Sequence, residues 1–153
     1  MNKLYMLVGV PGSGKSTWTN NQDWAKDCAY ISTDVWVELE AKKQNKTYTE
    51  VFAEFMPKAV HIMTEHVKLA RDKGQDIIWD QTSTTIHTRK KKLVMLPEYY
   101  AIAVVFNTPD SEELSRRLNN RLGKVIPDDI IQLMIEGWEE PTLEEGFKEI
   151  WRI

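Results

Sequence analysis

The chain is poor in the residues that build several kinds of protein. It has one cysteine, Cys28, among 153 residues. That excludes an internal disulfide and suits a reducing compartment, so a cytoplasmic location is expected. No apolar run approaches the roughly 20 residues that cross a bilayer, and no membrane partner is expected. The opening MNKLYMLVGV is apolar only briefly and leads into a glycine loop rather than a cleavage site, so no leader is expected. The three histidines, His61, His66 and His87, have no metal-ligand spacing with the cysteine. His61 and His66, five apart in a helical stretch, are poorly set for a shared ion. The net charge is only −3, so nothing draws the whole molecule to nucleic acid. Basic charge is instead local, in Arg89–Lys92 and in Arg116, Arg117, Arg121 and Lys124, against an acidic stretch from Glu136 to Glu149.

Repeats, linkers and low-complexity segments are also missing, and the length fits one domain over residues 1–153. What is present is an alternation. Nearly continuous apolar runs at Lys3–Val8, Cys28–Ser32, Asp76–Asp80, Tyr100–Phe106 and Phe147–Ile153 read as strands covered on both faces. Between them lie helical patterns at Lys15–Trp24, Asp34–Lys43, Glu50–Lys73, Ile86–Leu96, Ser111–Leu122 and Asp128–Glu139. Strands alternating with helices predict an α/β fold, a parallel five-stranded sheet flanked by helices. In the long helix, Val51, Phe52, Phe55, Met56, Ala59, Val60, Met63 and Val67 predict one buried stripe, and Pro57 predicts a kink or a split.

One motif is complete. Gly9-Val-Pro-Gly-Ser-Gly14-Lys15-Ser16 matches G-x-x-x-x-G-K-[ST], with a strand before it and a helix after. Gly12, Ser13 and Gly14 turn backbone N–H groups inward around phosphates, and the helix that follows aims its positive end at them. Lys15 is expected to neutralise β- and γ-phosphate charge, Ser16 to ligate Mg2+ and Thr17 to bond the α-phosphate. A signalling GTPase would need Asn-Lys-x-Asp, and the nearest match, Asn45-Lys-Thr-Tyr48, ends in tyrosine and follows no strand. The size suits a small kinase, in which ligands lie beyond the strand C-termini. Two carboxylates stand at such ends. Asp34 closes AYISTD and is expected to be the general base, although its place also suits a helix N-cap. Asp80 closes DIIWD and is expected to orient Mg2+, the competing roles being a turn residue or a partner for a buried arginine. Arg117 and Arg121, four apart, predict one helix face, and LGKVIPDD after them predicts a mobile helical lid. Arg117 then contacts phosphate or pairs with Glu113. Arg89 is read as pointing at the rim or lying on a solvated face, and Trp36 as a stacking residue or core.

GVPGSGKSTW, Asp34 after a second strand, Asp80-Gln-Thr82 after a third, and AVVFNTPDSEELSRRLNNR together resemble the kinase domain of polynucleotide 5′-hydroxyl kinases, both the phage enzymes and the bacterial RNA-repair kinases. The resemblance covers nearly the whole chain and implies a P-loop kinase of the adenylate-kinase-like class. It implies that Lys15 and Ser16 bind ATP and Mg2+ and that Asp34 activates an acceptor 5′-hydroxyl at a nucleic-acid end. It also implies that Arg121 contacts donor phosphate from the lid and that Lys124 to Pro127 lie near the adenine. Two departures stand out. Val37 occupies the place of an arginine that grips the acceptor phosphate, and Asp80-Gln-Thr82-Ser83 replaces Asp-x-Thr-Asn. With the last strand expected to finish at Ile153, no phosphatase activity is expected. The competing expectations are a kinase for another hydroxyl (nucleoside, sugar or hydroxymethylated base in DNA) and a nucleotide-binding regulator that does no transfer.

Overall fold

The computed structural model describes residues 1–153. Its five strands are β1 (Lys3–Val8), β2 (Ala29–Ile31), β3 (Ile77–Trp79), β4 (Tyr100–Val105) and β5 (Glu149–Arg152). They form one parallel sheet in the order β2-β3-β1-β4-β5. The six α-helices are α1 (Lys15–Asn20), α2 (Asp34–Gln44), α3 (Tyr48–Asp72), α4 (Ile86–Leu93), α5 (Ser111–Asn119) and α6 (Asp128–Glu136).

Strand alternation divides β1 between two cores. Leu4, Met6 and Val8 pack with Ile31, Trp79 and Ala103 against Met63, Val67 and Ala70 of α3. Tyr5 and Leu7 face the other way with Ile78, Ile102 and Val104, against Trp18, Trp24 and Trp151. This two-sided cover explains why the strands read as unbroken apolar runs. The crossovers also send every strand the same way, so the C-terminal ends of β1, β2 and β3 share one rim.

Several helix boundaries differ from expectation. α1 stops at Asn20, and a 3-10 turn over Asp23–Asp27 follows it. α3 runs unbroken through Pro57. Pro57 and Ala53, whose carbonyl Pro57 cannot serve, are both exposed residues of the helix. The buried stripe of α3 is narrower than predicted, being Val51, Ala59, Met63, Val67 and Ala70. Phe52 and Val60 are 41% and 42% exposed. α5 ends at Asn119, so Arg117 and Arg121 do not share a helix face. The asparagines Asn119 and Asn120, which compete for backbone hydrogen bonds, close that helix, and Gly123 follows at φ +71°.

Candidate functional site

The loop leaving β1 turns tightly because side chains are absent where it closes. A Cβ on Gly9 would fall 2.5 Å from Ser13 Oγ. Gly14, at φ +99°, adopts the left-handed conformation that starts α1. The loop is braced from behind, since Gly9 N–H donates to the carbonyl of Thr82, just past β3, at 2.9 Å. Lys15 Nζ donates to the loop's own carbonyls, Gly9 at 2.8 Å and Val10 at 3.0 Å. Burial pushes its pKa down to about 8, with Asp80 opposing the shift and Arg121 reinforcing it. A lysine depressed in this way weakens the fold below about pH 8 and relieves it as pH rises toward its unfolded value. Ser13 Oγ is buried without a protein partner. Ser16 and Thr17, in the first turn of α1, are exposed to the cleft.

Asp80 lies one residue beyond β3 and accepts a hydrogen bond from the Tyr30 hydroxyl of β2. Burial raises its pKa, opposed by the Tyr30 bond and by Lys15. Ser16 lines the same cleft, so a carboxylate and a serine hydroxyl are both available there. That oxygen-donor set suits Mg2+, a hard cation.

Asp34 opens α2, and both of its oxygens are engaged. Tyr48 OH donates to Oδ1 at 2.7 Å, and Lys124 Nζ to Oδ2 at 2.9 Å. Lys124 also lies 4.4 Å from the Tyr48 ring centroid. Burial pushes the Asp34 pKa up, but Lys124, the Tyr48 hydroxyl and Arg121 outweigh it and hold the carboxyl below its usual range. No side-chain cap is made at this helix start, so Asp34 is not serving as an N-cap.

Residues 120–127 cross from α5 to α6 over the mouth of the cleft. They are tied to the start of α3, where Thr49 N–H donates to the Gly123 carbonyl at 3.2 Å and Val125 N–H to Thr49 Oγ1 at 2.9 Å. Arg117 makes the expected pair with Glu113 and one contact that was not expected. Its Nε pairs with Glu113 at 2.8 Å, and its Nη1 donates to the Gly12 carbonyl of the glycine loop at 3.0 Å. Arg116 and Arg117 together hold the Glu113 pKa down to about 2. Arg121 is half-buried, close enough to bear on both Lys15 and Asp34, and makes no ion pair.

Gly12, Ser13, Gly14, Lys15, Ser16, Thr17, Asp34, Asp80, Arg117, Arg121 and Lys124 thus line a single cleft of about 2220 Å³. One drug-sized ligand fills roughly 300–1,000 Å³, so there is room for a nucleotide and an acceptor together. Other expectations fail. Arg89 is fully buried, away from the rim, and pairs bidentately with Glu145 at 2.7 and 3.2 Å. The basic run is split, with Lys92 buried too, donating to Ser83 Oγ at 2.7 Å, while Lys90 and Lys91 stay exposed. Glu145, not Asp80, is the partner of the buried arginine. Val37 is fully buried with Ala41, Val51 and Ala59, so Val37→Arg would bury an unpaired guanidinium rather than restore a phosphate grip. Trp36 packs against that cluster with its edge toward His66, 6.2 Å between centroids, and does not line the cleft. Lys124 is paired with Asp34 and also lies 3.7 Å from Glu38. Sequence reasoning missed Tyr30 and Tyr48. The only local signal for Tyr48 was its place directly after Thr47, which forms a capping box with Glu50.

The profile of the family AAA_33, described as an AAA domain, matches residues 4–141. The bifunctional polynucleotide phosphatase/kinase of Schizosaccharomyces pombe is 25% identical over 153 residues, covering 97% of this chain. The chain spans 32% of that relative's length. Among solved structures, a chain of the Pnkp1/Rnl/Hen1 RNA repair complex is similar over 89% of this chain and 43% of its own, with TM-score 0.66 and 23% identity. A gluconokinase from Sinorhizobium meliloti 1021 is similar over 99% of this chain and 81% of its own, with TM-score 0.58 and 16% identity. At such identities these structures establish the shared fold, a parallel sheet flanked by helices as in P-loop kinases.

Proposed function

The chain belongs to the AAA domain family and has the fold of a P-loop kinase, and from that premise we propose that it transfers the γ-phosphate of ATP to the 5′-hydroxyl of a DNA or RNA strand, its residues 1–153 acting as one kinase unit. The observation that carries the reading is Asp34, a carboxylate held ionised in the same cleft as the glycine loop. The polynucleotide acceptor is favoured over others by the similarity to the Schizosaccharomyces pombe phosphatase/kinase, which extends along 97% of the chain.

In this mechanism Asp34 takes the proton of the acceptor hydroxyl. The freed oxygen attacks the γ-phosphorus, the bond to the β–γ bridging oxygen breaks, and ADP leaves. Lys15 exchanges its carbonyl partners for phosphate oxygens, and the N–H groups of Gly12 to Ser16 surround the phosphates. Arg121 faces the transferring group across the cleft and stabilises the charge that spreads over it, while Arg117 holds α5 to the loop. Ser16 and Asp80 would hold Mg2+, which supplies neutralisation of phosphate charge when bound. Lys124 and Tyr48 keep Asp34 ionised and aimed.

One observation favours a second acceptor class. With Val37 in the core, the guanidinium expected beside an acceptor phosphate has no counterpart at that position, which suits a nucleoside or sugar. Labelled ATP separates the readings, offered with 5′-hydroxyl DNA and RNA strands, nucleosides, gluconate and hydroxymethylated DNA. Label on a strand's 5′ end is expected. Label on a sugar or nucleoside alone would overturn the polynucleotide reading, and ADP formation indifferent to every acceptor would make the protein a nucleotide-binding regulator.

A further inference from the structure

The wall of the cleft beside Asp34 has an aromatic side chain that phosphate transfer does not employ. Phe52 stands one turn after Tyr48 on α3, with ring centroids 5.5 Å apart and planes inclined at 41°. The buried stripe of the helix runs through Val51, Ala59, Met63 and Val67, so Phe52 is turned away from the core. It is 41% exposed and lines the cleft together with Val35 and Met56. Its neighbour Tyr48 is bonded to Asp34 Oδ1 at 2.7 Å. The exposed ring is thereby held at a fixed position relative to the carboxylate proposed as the base. Lys42 and Lys46, on the same wall, are exposed and belong to no ion pair.

We propose that Phe52 is the stacking platform for the nucleobase of the nucleotide that presents its 5′-hydroxyl to Asp34, with Lys42 and Lys46 meeting the phosphates that follow it in the strand. The inference rests on the polynucleotide reading and assigns the acceptor side of that same cleft. An aromatic face accepts any base, and mobile lysines accept any backbone, so this wall binds single strands with little sequence preference. It also accounts for acceptor grip where Val37 and Trp36 supply none. A planar π-face at the 5′ terminus is the chemistry it recognises, and a strand whose terminal residue lacks a base leaves the ring uncovered.

The test compares two 5′-hydroxyl oligonucleotides that differ only at the first residue, one with a base and one with an abasic sugar, on the unaltered protein and on Phe52→Ala and Phe52→Trp. On the unaltered protein the abasic strand is expected to show a KM roughly 5- to 150-fold higher, the range of one base–aromatic stack. Phe52→Ala is expected to raise KM for the base-bearing strand by a similar factor and to leave the abasic strand and ATP unaffected, and Phe52→Trp to restore the grip. A 2-aminopurine placed at the 5′ end reports the stack directly, by fluorescence quenching that Phe52→Ala removes. If both strands are phosphorylated with equal KM by the unaltered protein, the stacking inference falls and the polynucleotide reading stands. If no 5′-hydroxyl strand accepts phosphate while a sugar does, both fall together.

Discussion

Removing the carboxylate of Glu145 should unfold the molecule more readily than any single change at the surface. Arg89 is fully buried, and the Glu145 side chain is 8% exposed. The guanidinium gives two further hydrogen bonds to carbonyls, Ser83 at 2.9 Å and Glu139 at 2.9 Å. Glu145→Ala leaves that cation in the interior without a counter-charge. Breaking one side of a buried pair costs about 3–5 kcal/mol. At roughly 2–4 °C per kcal/mol for a chain of this size, the melting temperature should fall by about 6–20 °C. Urea unfolding followed by circular dichroism and by tryptophan fluorescence measures the loss, and coincident transitions with an unchanged m-value show that it is a stability change. Replacing both members, as in Arg89→Met with Glu145→Leu, should recover part of it, because a matched apolar pair avoids the unpaired charge. The recovery should stop short by about 1–3 kcal/mol, since the Ser83 and Glu139 carbonyls would then lack a donor. A Glu145→Ala protein within about 1 kcal/mol of the parent would refute the idea that this pair fastens the chain end to the loop after β3, because a surface pair is worth no more than that.

Four changes address the chemistry. Lys15→Ala should cut turnover by about 10²–10³-fold, and isothermal titration of the parent with ATP above about pH 8 should show proton uptake that the variant lacks. Asp34→Asn should keep fold and ATP affinity and slow the chemical step by roughly 10²–10⁴-fold in single-turnover assays; normal turnover would return Asp34 to a structural role. In Lys124→Met the Asp34 pKa rises, because a cation that favours the carboxylate is gone, so the acid limb of the kcat/KM profile should move to higher pH. An unmoved limb would show that the titrating base lies elsewhere. Arg121→Ala should lower kcat more than it raises KM for ATP, and an unchanged kcat would remove Arg121 from the transition state.

The glycine-loop wall of the cleft was legible because its signals are local. β1 is a six-residue apolar strand that runs directly into the glycine motif, and its bounds match the expected Lys3–Val8. Asp34 and Asp80 follow from where strands end. What escaped notice depends on distant partners. Arg89 reads as part of a basic run until Glu145, 56 residues on, comes to meet it. Tyr48 resembles any helix-start aromatic until the packing of α2 on α3 brings its hydroxyl to Asp34. Phe52 and Val60 fit the apolar period of α3, but that helix meets the core over a narrower arc than its pattern suggests. The buried Val37 shows the same limit from the other side, since which face of α2 turns inward is decided by its neighbours.

The bonds that join Thr49 to Gly123 and Val125, with Lys124 on Asp34, tie the segment over the cleft mouth to the helix that carries Tyr48 and Phe52. Thermodynamic reciprocity then sets a condition on the order in which ligands help each other. If a nucleotide tightens or loosens an acceptor by some factor through this segment, the acceptor must change the nucleotide's affinity by that same factor. The bonds are individually weak, so the linkage is set by how many of them break together. Thr49→Val removes the hydroxyl that holds Val125, so it should bring the two affinities closer to independence and leave each site's own contacts in place.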